Sequence, residues 1–135
     1  MISEKDIISG KRKTAVAKLK VTDGSGKVFY NGLPHTELNL FHKLALSEPL
    51  RIHEQVLGNL KNDFYITTCG GGIEGQIQAA RLAIAKALLK ISGSEVLKKA
   101  FISYDRNIIV PDSRRKEARK PGDSKARAKR QKSYR

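Results

Sequence analysis

A chain of 135 residues has room for one domain and an appendage. Its 27 Lys and Arg against 13 Asp and Glu give a formal charge of +14, which calls for an anionic partner. The single cysteine excludes an internal disulfide and argues against a Cys-based zinc site, and no apolar run of about 18 residues exists to span a membrane.

The opening MISEKDIISGKRK lacks the apolar stretch of a signal peptide, so a cytoplasmic protein is expected. It ends in a basic cluster, Lys11-Arg12-Lys13. From Thr14 to Val21, Ala15, Ala17, Leu19 and Val21 alternate with Lys18 and Lys20, the pattern of a half-buried strand. Asp23-Gly-Ser-Gly26 is a turn signal before a second strand over 27–30, so a hairpin is expected, closed by Asn31-Gly32. Thr36 is placed to cap a short helix carrying Leu38, Leu40 and Phe41, and Pro49 is expected to interrupt any helix. Residues 63–69 are rich in β-branched and aromatic side chains and read as a strand, with Cys69 a small buried hydrophobe.

The strongest helical signal runs from Gln76 to Ile91. Ile77, Ala80, Ile84, Ala87, Leu88 and Ile91 form a wide apolar stripe. Leu82 and Leu89 lie away from it, so this helix is expected to pack between two neighbours. Gly93 stops it, Ser94 caps a further helix from Glu95 to about Tyr104, and 107–110 reads as a short strand. The predicted order, β-β-(short α)-β-α-α-β, is an α+β domain over residues 1–110 with helices on one face of a sheet. No internal repeat is present.

Residues 106–135 hold 12 Lys and Arg against three acids, a net +9 of the total +14. Beyond Val110 there is no Val, Ile, Leu, Met, Phe or Cys. A segment with so little to bury cannot offset the entropy of ordering itself. Residues 111–135 therefore read as an extended basic tail ordered by a polyanion, of which folded RNA is the best fit. Lys11, Arg12 and Lys13 read as a second phosphate-contacting patch. Glu117, within RRKEARK, is expected to pair locally with an arginine.

Gly70-x-Gly72-x-x-Gly75 matches the dinucleotide-binding pattern literally and lies between a strand and a helix. That motif belongs in a repeated βαβ fold, and too little chain follows here to build a second half. Close backbone packing or an RNA phosphate suits these glycines better. His35, His42 and His53 have no accompanying ligand cluster, so no metal is expected. No nucleophile–base pair or carboxylate pair stands out, and a DNA-compacting protein would be expected to repeat its basic motifs.

Three stretches, GKRKTAVAKLKV, CGGGIEGQIQAARLAIAKALLK and DSRRKEARKPGDSKARAKRQKSYR, in this order and spacing, resemble the small-subunit ribosomal protein S9 family. The closing Gln131-Lys-Ser-Tyr-Arg135 is similar to its archaeal and eukaryotic branch, and the short length to the archaeal members. The resemblance implies a fold like the second domain of ribosomal protein S5, with helices on a four-stranded sheet. It implies no enzymatic activity, no cofactor and no homo-oligomer. It implies a structural role in the head of the small subunit, with small-subunit rRNA, neighbouring head proteins and peptidyl-site tRNA as partners. Lys11, Arg12, Lys13, Arg114, Arg115, Lys116, Arg119, Lys120, Lys125, Arg127, Lys129 and Arg130 would contact rRNA. Lys132, Ser133, Tyr134 and Arg135 would form the tRNA-proximal tip. Asp112, Arg114 and Glu117 match the family's Asp-x-Arg-x-x-Glu.

Overall fold

The computed structural model describes residues 7–122 and 125–128. Its strands are β1 (Ile7–Arg12), β2 (Ala15–Asp23), β3 (Val28–Tyr30), β4 (Leu33–Pro34) and β5 (Asn62–Cys69). Its helices are α1 (Leu40–Leu57), α2 (Ile73–Ser92) and α3 (Glu95–Tyr104), with 3-10 turns at His35–Glu37 and Arg106–Ile108. The five strands form one mixed sheet in the order β1-β2-β5-β3-β4, with only β3 and β5 parallel. The α+β class is as expected; the sheet has five strands rather than four.

Three of the expected strands are present as β2, β3 and β5, and the two unforeseen ones are the short β4 and the longer β1. Ile8 and Gly10 face inward, but an inward glycine contributes no apolar signal, so the alternation is invisible in the sequence. Gly10 is nevertheless what lets the layers meet. A Cβ built on it would stand 2.0 Å from the Ala79 carbonyl oxygen and 2.9 Å from the Ala83 nitrogen, so helix and strand backbones are in direct contact there. Ala79, Ala80, Ala83, Ala85 and Ala87 are all buried along α2. Short side chains on a helix packed from two sides permit this close approach.

β2 and β3 do not form the expected hairpin, because β5 lies between them. The Asp23–Gly26 turn is real, but it wraps around the start of β5. The Asp63 carboxylate accepts the Ser25 and Lys27 N–H groups, each at 2.8 Å, and Phe64 N–H donates to the Lys27 carbonyl at 2.8 Å. Those bonds hold the Asp63 pKa below the ordinary carboxylate value, the Lys27 N–H contributing most. Inserting β5 also brings Phe64 and Ile66 into the core beside Leu19, Val21 and Val28. Long-range burial of this kind overrides a local turn signal. Asn31-Gly32 instead closes the short β3–β4 hairpin.

α1 runs through Pro49, against expectation. Proline at this point lacks the N–H that would bond back to residue 45, yet the ring is buried among core residues, and that burial offsets the loss. Thr36 falls within the 3-10 turn rather than capping α1. α2 matches the predicted stripe, begins earlier at Ile73, and buries Leu82 as expected, with Leu89 partly buried. Gly93 stops it in the left-handed conformation, and the Ser94 hydroxyl caps α3 by accepting the Leu97 N–H. Residues 107–110 are not a strand. Asp105 accepts the Asn107 N–H at 2.8 Å and bends the chain into the 3-10 turn, which buries Ile108. Cys69 is exposed rather than buried, because it shares the outward face of β5 with Tyr65 and Thr67.

Candidate nucleic-acid interface

β1 and β2 are joined by the two-residue turn Lys13-Thr14, with Arg12 opposite Ala15. Lys11 and Arg12 end β1, and Lys13 occupies the turn with φ of +53°. A lysine in this left-handed region is strained, and such strain is held only by surrounding structure. The hairpin tip thus presents three consecutive basic residues at fixed positions beside the N-terminal end of α2. Arg12, Lys13 and Thr14 line a concavity there with Gly71, Gly72, Glu74 and Gln78.

The root of the tail returns to the same tip. Asp112 binds the Arg12 guanidinium from 100 residues away in sequence. The same carboxylate accepts the Arg114 backbone N–H at 2.8 Å and its guanidinium through Nε at 2.9 Å and Nη2 at 2.7 Å. Covered by two guanidinium groups, the Asp112 side chain is only 10% exposed. Its pKa lies far below the ordinary carboxylate range, first through the Arg114 side-chain bonds, then the Arg114 N–H and the bond to Arg12. Asp112 is therefore a clip, charged at neutral pH, that fastens the first residues of the tail to β1. Beneath it lies a polar cleft lined by Lys11, Arg12, Arg81, Asp105, Asn107 and Asp112. Arg81, on α2, pairs with Glu48 of α1 at 2.6 Å and Asp105 at 3.2 Å, which fixes the cleft floor to three elements.

From Pro111 to Lys120 the chain forms no helix or strand. Arg114, Arg115, Lys116, Arg119 and Lys120 are exposed along it, as are Lys125 and Arg127. Glu117 does pair with an arginine, but with Arg127 ten residues away at 2.9 Å rather than a neighbour. An exposed pair of this kind contributes little, and a phosphate can take the place of the carboxylate. Lys129, Arg130, Lys132, Ser133, Tyr134 and Arg135 lie outside the described residues.

Through Asp112 the geometry brings Arg12, between Lys11 and Lys13 in the chain, together with Arg114, while Arg127 is engaged with Glu117. Sequence reasoning missed Asp112 and Arg81 as organisers of the site. Asp112-x-Arg114 was a visible local signal, whereas the long-range partner Arg12 carried none. The glycine run serves packing: a Cβ on Gly70 would sit 2.6 Å from the Thr14 carbonyl oxygen. His42 bonds Glu74 at 2.8 Å, joining the starts of α1 and α2, and His53 is buried in α1. Among the described residues no cluster of three His, Cys, Asp or Glu could hold a metal ion. No described helix is long and apolar enough to cross a membrane.

A family model described as ribosomal protein S9/S16 matches residues 10–135. The chain belongs to the ribosomal protein S9/S16 family. The small ribosomal subunit protein uS9 of Methanococcus vannielii is 42% identical over 129 residues, covering 93% of this chain and 95% of its own length. The protein of the same name from Methanococcus maripaludis strain C7 is 43% identical over 129 residues, with the same coverage of each chain. That of Methanothrix thermoacetophila is 38% identical over 128 residues, covering 94% and 96%. The S9/S16 match takes in the hairpin tip, the Asp112 clip and the whole basic tail. As an S9/S16 member the chain is a ribosomal protein, not an enzyme.

Proposed function

We propose that this chain is a structural constituent of the small ribosomal subunit in the cytoplasm. Residues 1–110 form the folded domain, and residues 111–135 form a basic tail that small-subunit rRNA orders. The carrying observation is the S9/S16 match across residues 10–135, which spans the segment where +9 of the formal charge is concentrated. The hairpin tip and the clipped tail root support the same reading, because they put cations from both ends of the chain at one place. Arginine forks suit phosphate, which they bind through paired hydrogen bonds. Small Ala and Gly spacers leave room between crowded RNA helices.

In this reading Lys11, Arg12, Lys13 and the arginines and lysines from Arg114 to Arg130 contact rRNA in the subunit head, beside neighbouring head proteins. Lys132 to Arg135 reach peptidyl-site tRNA, with Tyr134 stacking on a base or ribose. The role is shielding of charge and positioning, without turnover.

Binding of the full-length chain to a small-subunit rRNA transcript, measured by anisotropy over a range of salt concentrations, tests this. Six tail contacts at about −0.7 each give a log–log slope of about −4. Removing 111–135 should flatten most of it. A slope unchanged by the deletion would refute tail-based binding.

A further inference from the structure

We infer that the solvent face of the sheet is a second RNA-docking surface, for an unpaired segment of the same rRNA; this rests on the function proposed above. The helices cover only one side of the sheet: α2 lies on β1, β2 and β5, and α1 and α3 pack on the helix layer. The strand register sets out what the other side presents. One row crosses all five strands: Ile7, Lys20, Tyr65, Phe29 and Pro34. The next holds Ser9, Lys18 and Thr67, and the third Lys11, Val16 and Cys69.

Phe29 and Tyr65 stack with ring centroids 4.9 Å apart and an interplanar angle of 9°. Tyr65 remains 45% exposed, with Lys20 directly opposite it on β2. Lys18 and Lys20 are exposed and have no ion-pair partner among the described residues. Among the described strand residues the acid on this face is Asp63, whose carboxylate is already taken by the Ser25 and Lys27 amides. Among the described residues of its strands the face therefore offers cations, hydroxyl groups and an aromatic pair, with no free carboxylate.

Charge complementarity selects the occupant. Lys18 and Lys20 lie two residues apart on one strand, about 7 Å, and confine the apolar part of this face to the short run Tyr65, Phe29 and Pro34, bordered by cations. A nucleic-acid strand supplies the alternating phosphate and flat base that lysines beside an aromatic ring can bind together. Lys11, in the third row, joins this face to the hairpin tip and hence to the tail root. One rRNA segment can run from the sheet to the Asp112 clip.

The test uses the full-length chain and the small-subunit rRNA transcript. Lys18→Ala with Lys20→Ala should make the salt slope shallower by about 1.4, at about 0.7 per lost contact. Lys18→Arg with Lys20→Arg should keep it. Tyr65→Ala should weaken binding about 5- to 150-fold, the range for loss of one stacked base, and Tyr65→Phe should retain most of the affinity. An unchanged thermal midpoint in each variant establishes that the fold is intact. Unchanged slope and affinity, with wild-type binding intact, would overturn the docking face and leave the tail-based reading standing. Unchanged RNA affinity with failed incorporation into small subunits would also overturn it and assign the face to a neighbouring protein. A wild-type chain that does not bind the transcript would refute both.

Discussion

Gly10→Ala should destabilise the fold out of proportion to the single methyl added. The new Cβ would stand 2.0 Å from the Ala79 oxygen, where ordinary contact begins at 3.4 Å. Strand and helix must part by about 1.4 Å along that line. α2 is held on its far side by α1 and the Arg81–Glu48 pair, so the edge strand β1 must give way. Overpacking of a well-filled core costs about 1–3 kcal/mol, and contact with a rigid backbone belongs at the upper end. The φ of Gly10 is not positive, so alanine recovers about 0.5–1 kcal/mol through the unfolded chain. The net loss is about 2 kcal/mol, or about 8–16 °C in midpoint for a domain of this size. Urea titration and thermal circular dichroism of the free protein would measure it. Gly72→Ala, with nothing within 4 Å of its Cβ, is the control for steric contact and, as the N-cap of α2, should lose no more than about 1 kcal/mol. A Gly10→Ala midpoint equal to that of the control would refute the backbone contact between β1 and α2, and with it the placement of the hairpin tip beside α2.

Asp112→Ala should release Arg12 and Arg114, so trypsin should cut the free protein faster after Arg114 and Arg115; an unchanged rate would mean that the clip does not hold the tail root. Because the Asp112 pKa is depressed, its contribution is complete above the ordinary carboxylate range and is lost only as pH falls through its lower folded value, so wild-type protection should be flat from pH 7 to about pH 5. Burial lowers the His53 pKa, so the unfolded state binds the proton more readily and stability should fall as pH drops through about 6.5. His53→Gln should remove that component; an identical pH profile would assign it elsewhere. Deleting Lys132–Arg135 should leave rRNA binding largely intact while speeding release of peptidyl-site tRNA from small subunits, about 5- to 150-fold at the limits of one stacking contact; equal release rates would reject a tRNA-contacting tip.

The parts legible in the sequence were those whose signal is local. α2 announced itself by a long apolar stripe, α3 by Gly93 and Ser94, and β5 by its β-branched run. The lack of helix or strand from Pro111 to Lys120 agrees with a composition that has nothing to bury there. What escaped depended on partners distant in the chain. β1 was hidden because one of its two inward positions is Gly10, whose value lies in having no side chain to meet α2. The Asp23–Gly26 turn correctly signalled a reversal, but nothing nearby revealed that β5 would enter between the strands. At Pro49 the local signal is a missing N–H, whereas the burial that offsets it comes from the tertiary fold. Within the candidate site, Lys11 to Lys13 and the tail arginines stood out by charge. The Arg12–Asp112 bond did not, since charge runs reveal where cations are abundant and not which acid holds them.

Sedimentation of a cell lysate through a sucrose gradient, with the chain followed by immunoblot, tests most directly that it is a small-subunit protein held by rRNA. The chain should travel in the small-subunit peak at physiological salt, and removing 111–135 should shift it toward the top of the gradient. Full-length chain found at the top, or with the chromosomal fraction, would contradict that assignment.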